Sequence, residues 1–191
     1  MKRQLINNLR LQVPPEVRYF LMRGLLIFVA WQVLYYLVLS PMGIPDKQLT
    51  EVTAKSTAFL YQHLVDKNTQ VAFSTRPDGI TTVYLNNKAS ISIADPCNAL
   101  GLYVLYVSIL FCFRAPLKRK IIFSIMGCVS IFLLNGIRCF LLAWLYQKKV
   151  HFFDFVHHYI FSTIIYVFIF CMWVWFIKKM KNDPPKKVVL T

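Results

Sequence analysis

Residues 121–146, IIFSIMGCVSIFLLNGIRCFLLAWLY, form a long apolar run that Asn135 and Arg138 interrupt. An α-helix needs about 20 apolar residues to cross the hydrocarbon core of a bilayer. The whole chain is 57% hydrophobic with a mean hydropathy of +0.51, a composition that excludes a disordered chain. We therefore expect an integral membrane protein.

Three further apolar runs are long enough, or nearly so, to cross the membrane: residues 24–39, 97–113 and 159–177. Together with 121–146 they predict an all-α polytopic membrane protein with a bundle of four transmembrane helices. The first two runs are at or just under the minimum length, so we expect their helices to stand nearly upright.

Basic residues at the ends of these runs predict the orientation. Segments 1–23, 114–120 and 178–187 are rich in Lys and Arg, whereas 41–96 and 147–158 are nearly balanced in charge. Loops rich in Lys and Arg stay in the cytoplasm. We therefore predict that both termini are cytoplasmic and that 41–96 and 147–158 lie outside.

The same charges limit the classes of partner. A formal net charge of +14 would point to nucleic acid in a soluble protein. Because the basic residues flank apolar runs, we expect contact with the lipid bilayer and no nucleic-acid partner. The five cysteines form no CxxC pair, which argues against a zinc site or a disulfide framework. We expect neither a metal nor a cofactor.

These patterns divide the chain into five segments. A basic cytoplasmic segment (1–23) precedes the first transmembrane helix (24–40) and a small extracytoplasmic α+β insert (41–96). A three-helix membrane core (97–180) follows, and a Pro- and Lys-rich cytoplasmic tail (181–191) ends the chain.

The insert is predicted to combine an amphipathic helix with a β-hairpin. The helix would span residues 46–65, and it would lie on the outer membrane surface or pack on the bundle. Its apolar residues fall on one stripe: Leu49, Val52, Phe59, Leu60 and Leu64. Two β-rich runs around Pro77-Asp78-Gly79 predict a hairpin turn, and the alternating run SISIA (90–94) predicts a third strand.

Cys97 is the candidate nucleophile. With Asp95 as N-cap and Pro96 in the first helical position, Cys97 would lie in the first turn of the second crossing. There the unpaired N–H groups and the helix dipole would favour its thiolate. Gly101, four residues later, would share this face and let a neighbour approach closely.

Two other crossings bring polar residues to the same outer layer. At about 1.5 Å per residue, Arg138 lies about 26 Å along its crossing, near the outer edge of a core about 30 Å thick. Asn135 lies one turn earlier on the same face. This pair either forms an inward polar face or leaves Arg138 to snorkel to the surface. His157 and His158 begin the last crossing, so one of them would complete a site with Cys97 and Arg138.

Cys139 follows Arg138 but points about 100° around the helix, so we expect it to pack in the bundle. A disulfide between Cys97 and Cys139 is the alternative, given the outer location of both residues.

The order of Cys97, NGIR (135–138) and a histidine at the start of the last crossing resembles the exosortase/archaeosortase family. The resemblance covers about half the chain. In the family, a small residue follows the histidine by four positions and an aromatic residue comes later. Ser162 and Tyr166 fit this pattern and favour His158 over His157. The chain differs in having Asn98-Ala99 where typical members have Ser-Gly or Ala-Gly, and in its four crossings.

The resemblance implies a cysteine peptidase or transpeptidase of the bacterial cytoplasmic membrane, active at the outer face. Its partners would be membrane-anchored substrate proteins with a C-terminal sorting signal of three parts: a short motif, a hydrophobic helix and a basic tail. Cys97, Arg138 and His158 would be catalytic, and Asn135, Asp95 and Gly101 supporting. Two other classes stay open: a thiol–quinone redox protein and a non-enzymatic membrane assembly or binding protein.

Overall fold

The computed structural model describes residues 14–76, 78–94, 97–148 and 159–181. Its main elements, in chain order, are α1 (Pro15–Leu34), α2 (Asp46–Leu64), β1 (Val71–Thr75), β2 (Thr81–Leu85), β3 (Lys88–Ile93), α3 (Leu100–Cys112), α4 (Leu117–Gln147) and α5 (Phe161–Lys181). After α1 the helical rod continues through a π-helical stretch, Tyr35–Leu39, and a short last turn, Ser40–Met42. The described protein is thus mostly helical, with one small sheet.

Three of the described helices are long and apolar enough to cross a membrane: the rod Pro15–Met42, α4, and Phe161–Met180 of α5. A multi-pass membrane protein is therefore confirmed. The remaining apolar helix, α3, has 13 residues. At about 1.5 Å per residue it reaches only about 20 Å, which is shorter than a hydrocarbon core of about 30 Å. The fourth crossing stays a prediction.

The first helix begins earlier than its apolar run does. Pro14 and Pro15 set its start, because proline lacks the N–H that the first turn of a helix leaves unpaired. Arg18 and Arg23 consequently lie inside the helix α1. The rod is 28 residues long, about 42 Å, so it exceeds the minimum for a crossing. Its most apolar window has no buried residue and is free to face lipid.

The sheet is antiparallel, with the strands in the order β1-β2-β3. Thr75 pairs with Thr81 across the first connection, as the predicted hairpin requires, and the predicted third strand is present. Asn86 and Asn87 make the second connection with positive φ angles of 52° and 61°. Asn tolerates this conformation, and it suits a tight two-residue turn. A bulge then interrupts the register between β2 and β3.

Large apolar side chains hold α3, α4 and α5 together, and we call this cluster the α3–α5 core. Its fully buried members include Tyr106, Leu110, Ile131, Ile169 and Phe176. The Tyr106 hydroxyl donates to the carbonyl of Phe123 on α4 at 3.0 Å. The ring lies so close to Gly127 that a Cβ there would overlap it.

Small and polar side chains join α2 to the C-terminal part of α4, and we call this contact the α2–α4 interface. The buried residues of α2 are Asp46, Thr50, Thr53, Ala54, Thr57, Ala58 and Tyr61. The apolar stripe that identified the helix is not its packing face, since Val52 is 48% and Phe59 58% exposed. Small side chains let helix backbones approach closely, whereas lipid can solvate the apolar ones.

The two helices of this interface run side by side. Ser56 lies against Gly136, and further along the Tyr61 hydroxyl donates to Oε1 of Gln147 at 3.4 Å. Burial first, and the nearby Asp66 carboxylate second, raise the pKa of Tyr61, so this hydroxyl keeps its proton. Of the two predicted locations for the helix, packing on the bundle is the one that the structure has.

Candidate active site

Cys97 precedes α3 and does not lie in its first turn. The helix begins at Leu100, and Ala99 before it adopts a left-handed conformation with a φ of 64°. This conformation interrupts the helix, so the predicted first-turn position of Cys97 is wrong. Cys97 therefore does not gain the stabilisation of its thiolate that a first-turn position would give. Asp95 and Pro96, predicted as N-cap and first helical residue, lie outside the described residues.

Asn98 organises the turn before α3. Its side chain is fully buried, and its Oδ1 accepts the N–H of Leu100, two residues later, at 2.9 Å, as in an Asx turn. Its Nδ2 donates to the carboxylate of Asp46 at 2.8 Å, and the Tyr35 hydroxyl donates to the other oxygen of that carboxylate at 3.0 Å. These bonds tie the Cys97 turn to α2 and to the end of the first helical rod.

The Asp46–Asn98 pair was not predicted from the sequence. Asn98-Ala99 stood out only as a difference from the pair that typical members of the resembled family have. Nothing local connects two residues that are 52 positions apart. The positive φ of Ala99 is a conformation that glycine adopts without strain.

Asn135 holds the backbone of Cys97. Its Nδ2 donates to the carbonyl oxygen of Cys97 at 2.8 Å, and its side chain is 1% exposed. Its Oδ1 is buried and has no hydrogen-bond partner in the described part of the chain. The predicted neighbour of Arg138 thus contacts the candidate nucleophile itself, through the main chain.

Arg138 and Cys97 line the same cavity, which has a volume of about 300 Å³. The other lining residues are 89–93 of β3, Cys139, Leu142 and Tyr146. Arg138 is half-buried, and its Nε is buried without a hydrogen-bond partner among the residues that the structure describes. This position agrees with the inward polar face and not with an arginine that snorkels to the surface.

Cys139 packs as expected. It is 1% exposed in a cluster with Ala54, Tyr61 and Val83, and one side of it borders the cavity. Both Cys97 and Cys139 are free thiols, so the alternative disulfide is absent.

Gly101 does not make the predicted close approach. A Cβ at this position would meet nothing within 4 Å. Because α3 starts only at Leu100, Gly101 does not share a helical face with Cys97. It borders a groove of about 640 Å³ between α1 and α3, together with Trp31 and Gln32.

The two candidate histidines, His157 and His158, lie outside the described residues, so no contact with Cys97 or Arg138 can be assigned to either. Tyr166, whose spacing favoured His158, lines the groove between α1 and α3. In the described ranges, no group of three or more His, Cys, Asp or Glu side chains is arranged to hold a metal ion.

A family model described as transmembrane exosortase (Exosortase_EpsH) matches residues 17–176. No curated protein and no solved structure gives a significant match. The matched range includes Cys97, Asn135 and Arg138.

Proposed function

The chain belongs to the transmembrane exosortase family, and from this premise we propose that it is a membrane-embedded cysteine transpeptidase or protease. It cleaves membrane-anchored proteins that carry a C-terminal sorting signal, at the outer face of the bacterial cytoplasmic membrane. Cys97 is the nucleophile, Arg138 stabilises the negative charge that develops, and His158 moves the proton, with His157 as the alternative.

The observation that carries this proposal is the cavity beside Cys97. Two elements distant in sequence, the turn before α3 and the helix α4, bring a free thiol and an arginine to its wall. A buried guanidinium nitrogen without a partner in the described part of the chain can bind an incoming group. A thiol and a guanidinium around one space are what acyl transfer needs.

The chemistry follows from these groups. His158 takes the thiol proton, and the Cys97 sulfur attacks the carbonyl carbon of the scissile peptide bond. The carbonyl oxygen becomes an oxyanion, which the Arg138 guanidinium binds in a half-buried site where charge interactions exceed those in water. The C–N bond then breaks, the leaving amine takes the proton from His158, and a thioester remains. An amine or water resolves the thioester.

The arrangement in the membrane is part of the proposal. Both termini, with segments 1–23 and 181–191, lie in the cytoplasm, and the first helix (24–40) crosses outward. The insert (41–96) lies outside, and the catalytic core (97–180) contributes three crossings, with α3 and its flanking turns as the short one. A substrate held by its own helix presents its cleavage site at the height of Cys97.

The test uses a single-pass reporter library, expressed with this protein, in which a randomised segment precedes an apolar helix and a basic tail. Immunoblotting follows release of the outer part. We expect Cys97→Ala and Cys97→Ser to abolish release, and Cys128→Ala, a half-buried cysteine remote from the cavity, to retain it. Release at the wild-type rate by Cys97→Ala would exclude the proposed role of Cys97.

Arg138→Lys tests the second group. Lysine keeps the charge but lacks the planar fork of donors, so release should fall by about 10²–10³-fold with unchanged expression. Arg76→Lys, at an exposed position beside the sheet, is the matched control and should release normally. If both variants release at the wild-type rate, Arg138 does not stabilise the oxyanion.

The thiol–quinone alternative has one supporting observation, because Cys97 and Cys139 line the same cavity. It requires that the two thiols form a disulfide during turnover. A thiol count after mild oxidation separates the two functions, since the peptidase keeps both thiols and the redox protein loses them together.

A further inference from the structure

One wall of the cavity beside Cys97 is the edge of the sheet. Five consecutive residues of β3, 89–93, line the cavity. Successive side chains of a strand point to opposite faces. The bulge at Ser90 shifts this alternation by one residue, but five consecutive lining residues still bring the backbone N–H and C=O groups of β3, as well as its side chains, to the cavity wall.

This edge carries no neighbouring strand among the described residues. In that part of the chain, β3 pairs with β2 alone, and its backbone makes no hydrogen bond to the backbone of another element. An unpaired edge presents a row of donors and acceptors that another extended chain can join. The opposite edge of the sheet, β1, does not line the cavity.

β3 leads towards the candidate nucleophile. The Ser90 hydroxyl donates to the carbonyl of Ala143 on α4, and Ile93 shares a buried cluster with Cys139, four residues nearer the start of α4. The carbonyl of Cys97 accepts from Asn135, which lies nearer still to the start of α4. The strand therefore runs antiparallel to α4 and ends beside Cys97. A chain that lay along its free edge would reach Cys97 as well.

We propose that the free edge of β3 binds an extended segment of the substrate, which joins the sheet as a fourth strand and carries its scissile carbonyl to Cys97. Main-chain hydrogen bonds supply the binding, and alternate side chains enter the cavity and set the sequence preference. The placement of the scissile bond rests on the proposed function.

Size and direction favour this occupant. A cavity of about 300 Å³ is at the low end of ligand pockets and holds a few side chains, not a folded domain. A substrate whose C-terminal helix enters the membrane from outside runs towards the bilayer, as β3 does in the proposed orientation. The added strand is therefore parallel to β3.

Photo-crosslinking tests the inference without any chemistry at Cys97. The photoreactive residue p-benzoylphenylalanine replaces the exposed Ser92 of β3 in a Cys97→Ala protein, and the probe is the membrane-anchored reporter library. Ser74, exposed on β1, is the matched position on the opposite edge. We expect cross-linked reporter from Ser92 and not from Ser74. In a second series the photoreactive residue is placed at successive positions of one reporter instead. The yield of cross-linked protein should then alternate with a period of two residues.

Three results would overturn the inference: equal cross-linking from both edges, no alternation along the reporter, or a cross-linked dimer of the protein in place of the reporter. The outcome is separable from that of the proposed function. Cross-linking from Ser92 without release by the wild-type protein contradicts the peptidase, whereas release without cross-linking from Ser92 contradicts the docking edge.

Prolines give a second measurement. Consecutive amides of a strand point to opposite sides, so of Ile91→Pro and Ser92→Pro one removes a bond to β2 and the other removes a donor from the free edge. The variant whose proline lies on the free edge should keep the wild-type melting temperature, because no bond to β2 is lost. Its rate of reporter release should fall by at least about ten-fold. Wild-type release by that variant would overturn the docking edge.

Discussion

The α3–α5 core and the α2–α4 interface use the same helix, α4, in opposite ways. Towards its start α4 packs Phe123 and Ile131 among large side chains, and Gly127 admits the Tyr106 ring. Towards its end it offers small and polar residues to α2 and leaves a cavity beside Cys97. The first contact is closely packed with large side chains, whereas the second borders a cavity.

The largest expected difference between the two regions is at their glycines. Gly127→Ala should destabilise the protein by about 3 kcal/mol, because its Cβ would overlap the Tyr106 ring. Gly136→Ala is the matched change at the α2–α4 interface. There the new Cβ would have Ser56 Oγ as its nearest neighbour, at 3.4 Å. It should be neutral or gain up to about 1 kcal/mol from helix propensity. Unfolding in detergent measures both variants, and equal losses would contradict the comparison.

A smaller effect is expected at two neighbouring residues of α2. Thr53 is 2% exposed, so Thr53→Leu should cost about 2 kcal/mol through overpacking. Val52 is 48% exposed, and Val52→Leu should change the unfolding free energy by less than about 0.5 kcal/mol. The same unfolding measurement applies. If Thr53→Leu raised the unfolding free energy instead, the buried face of α2 would have room for a larger side chain, and the predicted overpacking would be wrong.

Asn135→Ala removes the donor that holds Cys97. The carbonyl of Cys97 would lose its amide partner, which costs about 1.5 kcal/mol. Release of the reporter should fall further than this loss of stability explains, because the turn is no longer fixed. Ser130→Ala on the same helix breaks only a local bond to Met126 and serves as the control. Release and unfolding are measured in parallel on both variants. Release at the wild-type rate by Asn135→Ala would mean that the bond from Asn135 to the Cys97 carbonyl contributes to stability alone.

The smallest effect concerns two alanines. Ala99→Gly removes the strain of an alanine at positive φ. It also removes a buried methyl group worth about 0.8 kcal/mol. Because the two effects oppose each other, the unfolding free energy should hardly change. Ala143→Gly lies inside α4, fully buried, and should cost about 1 kcal/mol or more. A loss in Ala99→Gly as large as in Ala143→Gly would mean that the left-handed turn carries no strain.

These differences mark what the sequence could predict. Long apolar runs predicted the helices because spanning a bilayer requires them, and turn residues predicted the hairpin and the third strand. The pattern also predicted the helix α2, but not which of its faces is buried, since Val52 and Phe59 are exposed while Thr53 is buried.

The site was predictable only in part. Arg138 and Asn135 stood out because polar residues in an apolar run need a partner. The turn at Cys97 depends on the φ of Ala99 and on a bond from Asn98 to a residue 52 positions away. No local pattern contains that bond. The strand edge at the cavity likewise arises only when the insert docks on α4.

The most direct test of the central claim is to trap the acyl-enzyme. Wild-type protein is mixed with an intact reporter that it is able to cleave, and the reaction is quenched in acid. The protein is then digested and analysed by mass spectrometry. We expect the outer fragment of the reporter to be attached to Cys97 through a thioester. Hydroxylamine should remove it, and it should be absent in Cys97→Ala. A fragment on another cysteine, or release that continues in Cys97→Ala, would contradict it.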